Sequence, residues 1–174
     1  MIWDAMKTRM KVAIVLGGYV VAGVVASIVV ANSPNANDPG GMAAFGDLLY
    51  FVATFSAVAS VPTGFALWFL RRYRRFWIAL ATVAVVIAAT GVAAAIAYAM
   101  TATLTPEPTA AWKSWAYLTP LRMLAAPVLA GAFGLAAVLA PARGPRWALA
   151  SATVLEFAVT AYAFIHWFIL NRST

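Results

Sequence analysis

The stretch VAIVLGGYVVAGVVASIVVA, residues 12–31, decides the fold, because its twenty residues include no charged side chain and no proline. A helix of about 20 apolar residues is long enough to cross the ~30 Å hydrocarbon layer of a membrane. Three basic residues precede this stretch and a polar loop follows it. The pattern therefore predicts a first transmembrane helix from Val12 to Ala31.

The composition extends this interpretation to the whole chain. Of the 174 residues, 64% are hydrophobic and only 10% are charged, and the mean hydropathy is +0.88. A soluble domain of this length needs many more charged residues on its surface. The length fits one domain, so we expect residues 1–174 to form a single integral membrane domain.

Four further apolar stretches have the length of a membrane span. They run from 48 to 70, 77 to 100, 118 to 140 and 147 to 170. Apolar and polar residues do not alternate with a period of two, and each stretch exceeds the about 9–11 residues of a barrel strand. Because backbone groups in lipid must be hydrogen-bonded within their own segment, the sequence predicts an all-α bundle of five transmembrane helices.

The basic residues indicate the orientation of this bundle. Basic residues in short loops of multipass proteins stay on the cytoplasmic side. Five crossings with a cytoplasmic N-terminus and a periplasmic C-terminus place nine of the twelve basic residues there: Lys7, Arg9, Lys11, Arg71, Arg72, Arg74, Arg75, Arg143 and Arg146. We therefore predict a multipass protein of the bacterial inner (cytoplasmic) membrane.

A cleavable signal peptide is the alternative interpretation of residues 1–31, since Val29 and Ala31 are small enough for the positions before a cleavage site. The apolar run is longer than the about 7–15 residues that are usual in a signal peptide. The sequence therefore favours a retained first helix.

Small residues recur at helical spacing in the first four stretches. Lipid provides no hydrophobic drive for helices to associate, so close backbone approach at small residues has to hold them together. The pattern predicts a compact bundle with contacts at Ala22, Gly23, Ala26 and Ser27, at Ser56, Ser60 and Gly64, at Ala89, Ala93 and Ala97, and at Ala126, Ala130 and Gly134. Pro62 and Pro127 should bend the second and fourth helices.

One acidic residue, Glu156, lies deep in the fifth stretch, ~14 Å beyond Trp147 on the helical rise and so near the midplane. A charge there costs about 2.5–3.5 kcal/mol, so the side chain should face the bundle and find a partner. Ser60 falls at the same depth, whereas Arg122 falls ~10–14 Å away along the bundle axis. We therefore expect a neutral Glu156, hydrogen-bonded to Ser60 or to the Val58 carbonyl that Pro62 frees. Such an acid is either a structural contact or a proton- or cation-binding site.

A second polar group is predicted nearer the outer surface, where Asp47, Arg122 and His166 fall at similar depths. We expect Asp47 and Arg122 to form an ion pair between the second and fourth helices, with anion capture as the alternative. His166 lies beside Trp167 and four residues after Tyr162. This position fits a hydrogen-bonding residue of the interfacial aromatic belt.

The run RRYRR, residues 71–75, lies between the second and third stretches. Basic residues next to a membrane span attract anionic lipid. The sequence therefore predicts lipid contact at Arg71, Arg72, Arg74 and Arg75. Topology and lipid contact account for these charges, so we expect no nucleic-acid partner.

The sequence contains no phosphate loop, dinucleotide turn, metalloprotease motif or nucleophile elbow. It has no cysteine and one histidine, which excludes disulfides, cysteine metal sites and bis-histidine haem ligation within the chain. We expect no enzyme activity, no metal and no cofactor. The leading hypothesis is a non-enzymatic accessory, scaffold or assembly protein whose partners are lipids and a second copy or another membrane protein. The alternative is a small transporter or ligand-binding protein that uses Glu156 with Asp47, Arg122 and His166.

Overall fold

The computed structural model describes residues 2–34, 40–103 and 110–169. Its helices are α1 (Ile2–Ala31), α2 (Gly41–Phe69), α3 (Arg74–Thr103), α4 (Ala110–Leu139) and α5 (Arg143–Phe164). A 3₁₀ turn, Leu70–Arg72, follows α2, and a π-helical turn, Ile165–Ile169, follows α5. The regular structure in these described ranges is entirely helical, which confirms the all-α prediction.

All five helices are long and apolar enough to cross a membrane, with spans of 22 to 32 residues. This confirms the predicted number of apolar helices. All five helices begin earlier than predicted. The starts are Ile2, Gly41, Arg74, Ala110 and Arg143, where the sequence had suggested Val12, Leu48, Trp77, Leu118 and Trp147. The predicted helix end at Leu170 lies outside the described part of the chain.

The early start of α5 has a local cause. Only residues 140–142 separate it from α4, and Pro145 is tolerated in the first helical turn because amides there need no partner within the helix. Arg146 then donates from Nε and Nη2 to the carbonyl of Ala140, at 3.2 and 2.7 Å. This arginine caps the end of α4. Most of the loop expected at residues 141–146 is therefore helix.

The chain divides into two compact units, Met1–Arg72 and Tyr73–Thr174. The first, the hairpin unit, contains α1 and α2. Gly18 lies so close to Pro62 that a Cβ on the glycine would be 2.7 Å from the proline Cβ. Pro62 is thus part of the helix contact. Ala22 and Ala26 are fully buried, which confirms their predicted place in the packing.

The second, the three-helix unit, contains α3, α4 and α5. Its buried small residues on α4 include Ala126 and Ala130, as predicted. The small-residue contact predicted on α3 at Ala89, Ala93 and Ala97 was wrong, because Ala89 and Ala93 are exposed. The buried positions of α3 follow another face of the helix, at Trp77, Ala81, Ala84, Ala88 and Gly91.

A buried arginine–glutamate pair as candidate functional site

Arg122 and Glu156 form an ion pair inside the three-helix unit. Arg122 Nη2 lies 2.5 Å from Glu156 Oε1, and Nη1 lies 3.1 Å from Oε2. The guanidinium and the carboxylate therefore meet through two hydrogen bonds, the strongest geometry for such a pair. The Glu156 side chain is fully buried, and that of Arg122 is 19% exposed. The pair connects α4 to α5.

Helix α3 supplies the remaining partners of the guanidinium. The carbonyl of Ile87 accepts from Arg122 Nη2 at 2.8 Å, and Thr90 Oγ1 accepts from Nε at 3.1 Å. The Thr90 hydroxyl donates in turn to the same Ile87 carbonyl at 2.6 Å. Four of the five N–H groups of an arginine thus have partners here. One side chain connects all three helices of the unit.

Gly91 makes room for this network. A Cβ at this position would lie 2.7 Å from Arg122 Nη2 and 3.3 Å from Glu156 Oε2. At the first of these distances, the guanidinium would have to move to admit a side chain at residue 91. The missing side chain lets the guanidinium lie against α3.

The early start of α5 explains why the two side chains meet. One short turn joins the end of α4 at Leu139 to the start of α5 at Arg143. Counted from this turn, Arg122 is seventeen residues back along α4, and Glu156 is thirteen residues along α5. Their depths therefore differ by about four residues of helical rise, ~6 Å, which an extended arginine side chain covers. The predicted depth difference was too large because we expected the helix to begin at Trp147.

The expected partners of Glu156 are corrected accordingly. Both of its carboxylate oxygens accept hydrogen bonds from Arg122. Ser60 Oγ donates instead to the carbonyl of Ala57 in its own helix, at 2.7 Å. The expected hydrogen bond of Glu156 to Ser60 or to the Val58 carbonyl was therefore wrong.

The predicted outer cluster is corrected as well. Arg122 pairs with Glu156, where we had expected Asp47. Asp47 Oδ1 accepts a hydrogen bond from Ser33 Oγ at 2.6 Å within the hairpin unit. This contact connects the end of α1 to the first turns of α2.

His166 lies in the π-helical turn after α5, among aromatic side chains. Its ring centroid is 5.2 Å from that of Tyr98 and 5.9 Å from that of Tyr162. Trp167 Nε1 donates to the Tyr98 hydroxyl at 3.0 Å. The Nδ1 atom of His166 is buried and has no hydrogen-bond partner among the described residues. Two aromatic rings thus contact this imidazole, and its role as a hydrogen-bonding residue of the interface stays a prediction.

The four arginines of the RRYRR run are all exposed. Arg71 and Arg72 belong to the 3₁₀ turn, and Arg74 and Arg75 begin α3. Their exposure suits contact with lipid headgroups, which stays a prediction. Within the described ranges, no three His, Cys, Asp or Glu residues come together as metal ligands.

The arrangement around Glu156 is suited to holding helices together. A buried charge is tolerated when it is paired and hydrogen-bonded, and the Arg122 guanidinium that pairs with Glu156 is itself held by Ile87 and Thr90 of α3. A nearby groove between α3 and α5, about 260 Å³ in volume, is lined by apolar side chains and Tyr162. It presents no charged group to a polar substrate.

The chain matches no protein-family model, no curated protein and no solved structure.

Sequence motifs gave no indication of Thr90 or of the Ile87 carbonyl as partners of Arg122, nor of the space that Gly91 provides. A backbone carbonyl has no sequence signal, and threonines are common in apolar helices. One signal was present: an acid and an arginine, both inside predicted spans, should pair with each other when each must find a partner.

Proposed function

We propose that the chain is a multipass protein of the bacterial inner membrane that acts through helix–helix contacts as a non-enzymatic accessory, scaffold or assembly protein. The observation that carries this proposal is the network around Arg122 and Glu156. Both charged groups are occupied by contacts among α3, α4 and α5. A protein that uses its intramembrane charges in this way holds a fixed helix arrangement.

The energetics favour a structural role. Removing one partner of a buried ion pair typically costs about 3–5 kcal/mol, because the other charge is left without a partner. A site that must part repeatedly to bind a substrate would have to supply that energy in each cycle. A permanent contact does not.

The exposed faces of the helices are the surfaces proposed to meet lipid or a partner. Large apolar side chains are exposed along α1, including Val20, Val24 and Ile28. Helices in lipid associate by packing of such faces and small residues. A second copy of the chain or another membrane protein is the proposed partner.

The proposed orientation has the N-terminus in the cytoplasm and the C-terminus in the periplasm. It is supported by the nine basic residues that five crossings would place on one side. Reporter tags at the two termini should report opposite compartments. Tags on the same side would contradict the proposed topology.

A small transporter is the second candidate, and one observation favours it. The Arg122 side chain keeps 19% of its surface exposed, so the pair is not closed on every side. If the pair parted, Glu156 would become a proton or cation site.

Reconstitution of wild type and Glu156→Gln into liposomes separates the two candidates. The matched control is Asp47→Asn, which neutralises the acid paired with Ser33 in the hairpin unit. A dye trapped inside the liposomes reports proton entry, and crosslinking in native membranes reports association. We expect proton entry equal to that of empty liposomes for all three proteins, and unchanged association for Asp47→Asn.

Proton entry with the wild type that is lost only in Glu156→Gln would overturn the scaffold proposal in favour of transport. A wild-type chain that stays monomeric and uncrosslinked in its native membrane would also overturn it.

A further inference from the structure

The hairpin unit has one end at which basic side chains of both helices meet. Three contacts define how α1 and α2 run past each other: Gly18 with Pro62, Tyr19 with Thr63, and Lys11 with Phe69. Between the Gly18–Pro62 contact and the Lys11–Phe69 contact, the residue number falls by seven on α1 and rises by seven on α2. The two helices are therefore antiparallel and keep one register over this length.

Extending this register toward the start of α1 places Arg9 at about the axial level of Arg71, and Thr8 at about that of Arg72. Lys11 Nζ is 5.1 Å from the centroid of the Phe69 ring. Both helices therefore supply charge to one end of the unit, which we call the basic end: Arg9, Lys11, Arg71 and Arg72. All four residues are exposed.

No described carboxylate neutralises the basic end. Of the acidic side chains that the structure describes, Asp47 accepts from Ser33, and Glu156 pairs with Arg122 in the other unit. Two of the cations lie over aromatic rings instead. Arg71 Cζ is 5.0 Å from the centroid of the Trp68 ring, and Lys11 Nζ is 5.1 Å from that of the Phe69 ring. Cation–π contacts orient these groups and leave their charge available to an anion.

Exposed apolar side chains continue directly from the basic end. They include Val12, Ile14 and Leu16 on α1 and Phe65 on α2. A ligand that meets both surfaces needs an anionic head and apolar chains. Soluble anions satisfy only the first condition, and neutral lipids only the second.

We propose that the basic end of the hairpin unit binds the headgroup of an anionic phospholipid, with its acyl chains along the exposed apolar faces of α1 and α2. Four cations match two phosphate groups, so cardiolipin is the lipid expected to bind best. The site consists of Arg9 and Lys11 together with Arg71 and Arg72, and so differs from contact at the arginine run alone. It rests on the membrane location proposed above.

The test is lipid binding to the purified full-length protein in a neutral detergent, followed by native mass spectrometry. Cardiolipin and phosphatidylcholine are titrated separately, and inorganic phosphate is added as a competitor. Single substitutions Arg9→Gln, Lys11→Gln, Arg71→Gln and Arg72→Gln remove one charge each. Arg143→Gln is the matched control, because Arg143 is exposed at the start of α5 and lies outside the basic end.

Each of the four substitutions should weaken cardiolipin binding about fivefold, the effect expected for one basic residue near anionic lipid. Arg143→Gln should leave cardiolipin affinity unchanged, and phosphatidylcholine should bind weakly to every variant. Inorganic phosphate at equal concentration should not displace the lipid.

Equal weakening by Arg143→Gln would show that net charge alone attracts the lipid, and would overturn the proposal. Displacement by inorganic phosphate, or equal binding of phosphatidylcholine, would overturn it as well. The tag experiment on membrane topology keeps the two proposals separate. A chain that inserts as expected but shows one of these outcomes contradicts only the lipid site.

Discussion

The hairpin unit and the three-helix unit hold their helices together through different kinds of contact. Of the most apolar window of each helix, 11% is buried in α1 and α2, and 28% is buried in α3, α4 and α5. In the hairpin unit, the described contacts include close approach at Gly18, the Tyr19–Thr63 hydroxyl pair, the Ser33–Asp47 hydrogen bond and Lys11 over the Phe69 ring. The three-helix unit adds a buried ion pair with four hydrogen bonds from one arginine.

The difference shows how the number of helices changes what a polar side chain can do. Two helices have one shared face, where small residues are enough to bring the backbones together. Three helices enclose an interior, and a charge placed there can be surrounded by partners from each of them. Glu156 is fully buried for this reason, whereas Asp47 is only partly buried.

The chain has no cysteine, so one cysteine introduced into a unit reports the opening of that unit. Ala26 in the hairpin unit and Ala152 in the three-helix unit are both fully buried. The variants Ala26→Cys and Ala152→Cys should be protected from a thiol reagent until their own unit opens. The reaction rates of the two thiols therefore measure the opening of each unit separately.

The largest effect is expected from Arg122→Met. It leaves the Glu156 carboxylate buried without its partner, which should lower the free energy of unfolding by about 3–5 kcal/mol. Thermal unfolding in detergent measures the loss. The cysteine at 152 should become reactive, and the cysteine at 26 should stay protected.

The double variant Arg122→Met with Glu156→Leu is the control for this first prediction. Replacing both charges by apolar groups removes the unpaired carboxylate, so most of the lost stability should return. A double variant as unstable as the single one would show that the pair contributes shape rather than charge balance.

The next largest effect is expected from Gly91→Ala. Its Cβ would lie 2.7 Å from Arg122 Nη2, so the guanidinium must shift away from α3. Overpacking of this kind costs about 1–3 kcal/mol. The measurement is thermal unfolding, and the control is Gly131→Ala, where a Cβ would meet nothing within 4 Å. The difference between the two variants gives the cost of crowding the guanidinium. Equal stability of the two variants would mean that the network does not depend on the space at residue 91.

Gly18→Ala carries the same test to the hairpin unit. The new Cβ would lie 2.7 Å from Pro62 Cβ, so α1 and α2 have to separate. We expect a loss of about 1–2 kcal/mol, in the lower part of the range for overpacking, because two helices adjust more easily than three. The thiol at 26 should gain reactivity while the thiol at 152 does not. Gly17→Ala, which meets nothing within 4 Å, should leave both thiols protected.

The smallest effect is expected from Tyr19→Phe. The tyrosine hydroxyl is 2.7 Å from Thr63 Oγ1, and Thr63 also donates to the carbonyl of Ala59. Loss of one hydrogen bond between membrane helices costs about 0.6 kcal/mol on average. A shift of the unfolding midpoint as large as that of Gly18→Ala would show that the hairpin depends on this hydroxyl more than on backbone approach.

The sequence predicted some parts of the site and failed at others for identifiable reasons. Glu156 was expected to face the interior and to need a partner, and it does. The choice of partner was wrong because the start of α5 was placed four residues too late. That error changed the estimated depth of Glu156 by ~6 Å, which is enough to select Ser60 over Arg122. The small-residue contact predicted on α3 was wrong because alanines cover several faces of that helix, and spacing alone does not tell which face is inside.

The sequence by itself determined that the chain forms five apolar helices, since the length of an uncharged run and the need to satisfy backbone groups in lipid are local properties. Tertiary structure alone decided which polar groups meet. A guanidinium reaches ~6 Å or more along a helix, so its partner depends on helix ends and facing directions that differ by only a few residues. Arg122, Thr90, Ile87 and Glu156 are neighbours because Arg143 begins a helix and Gly91 has no side chain.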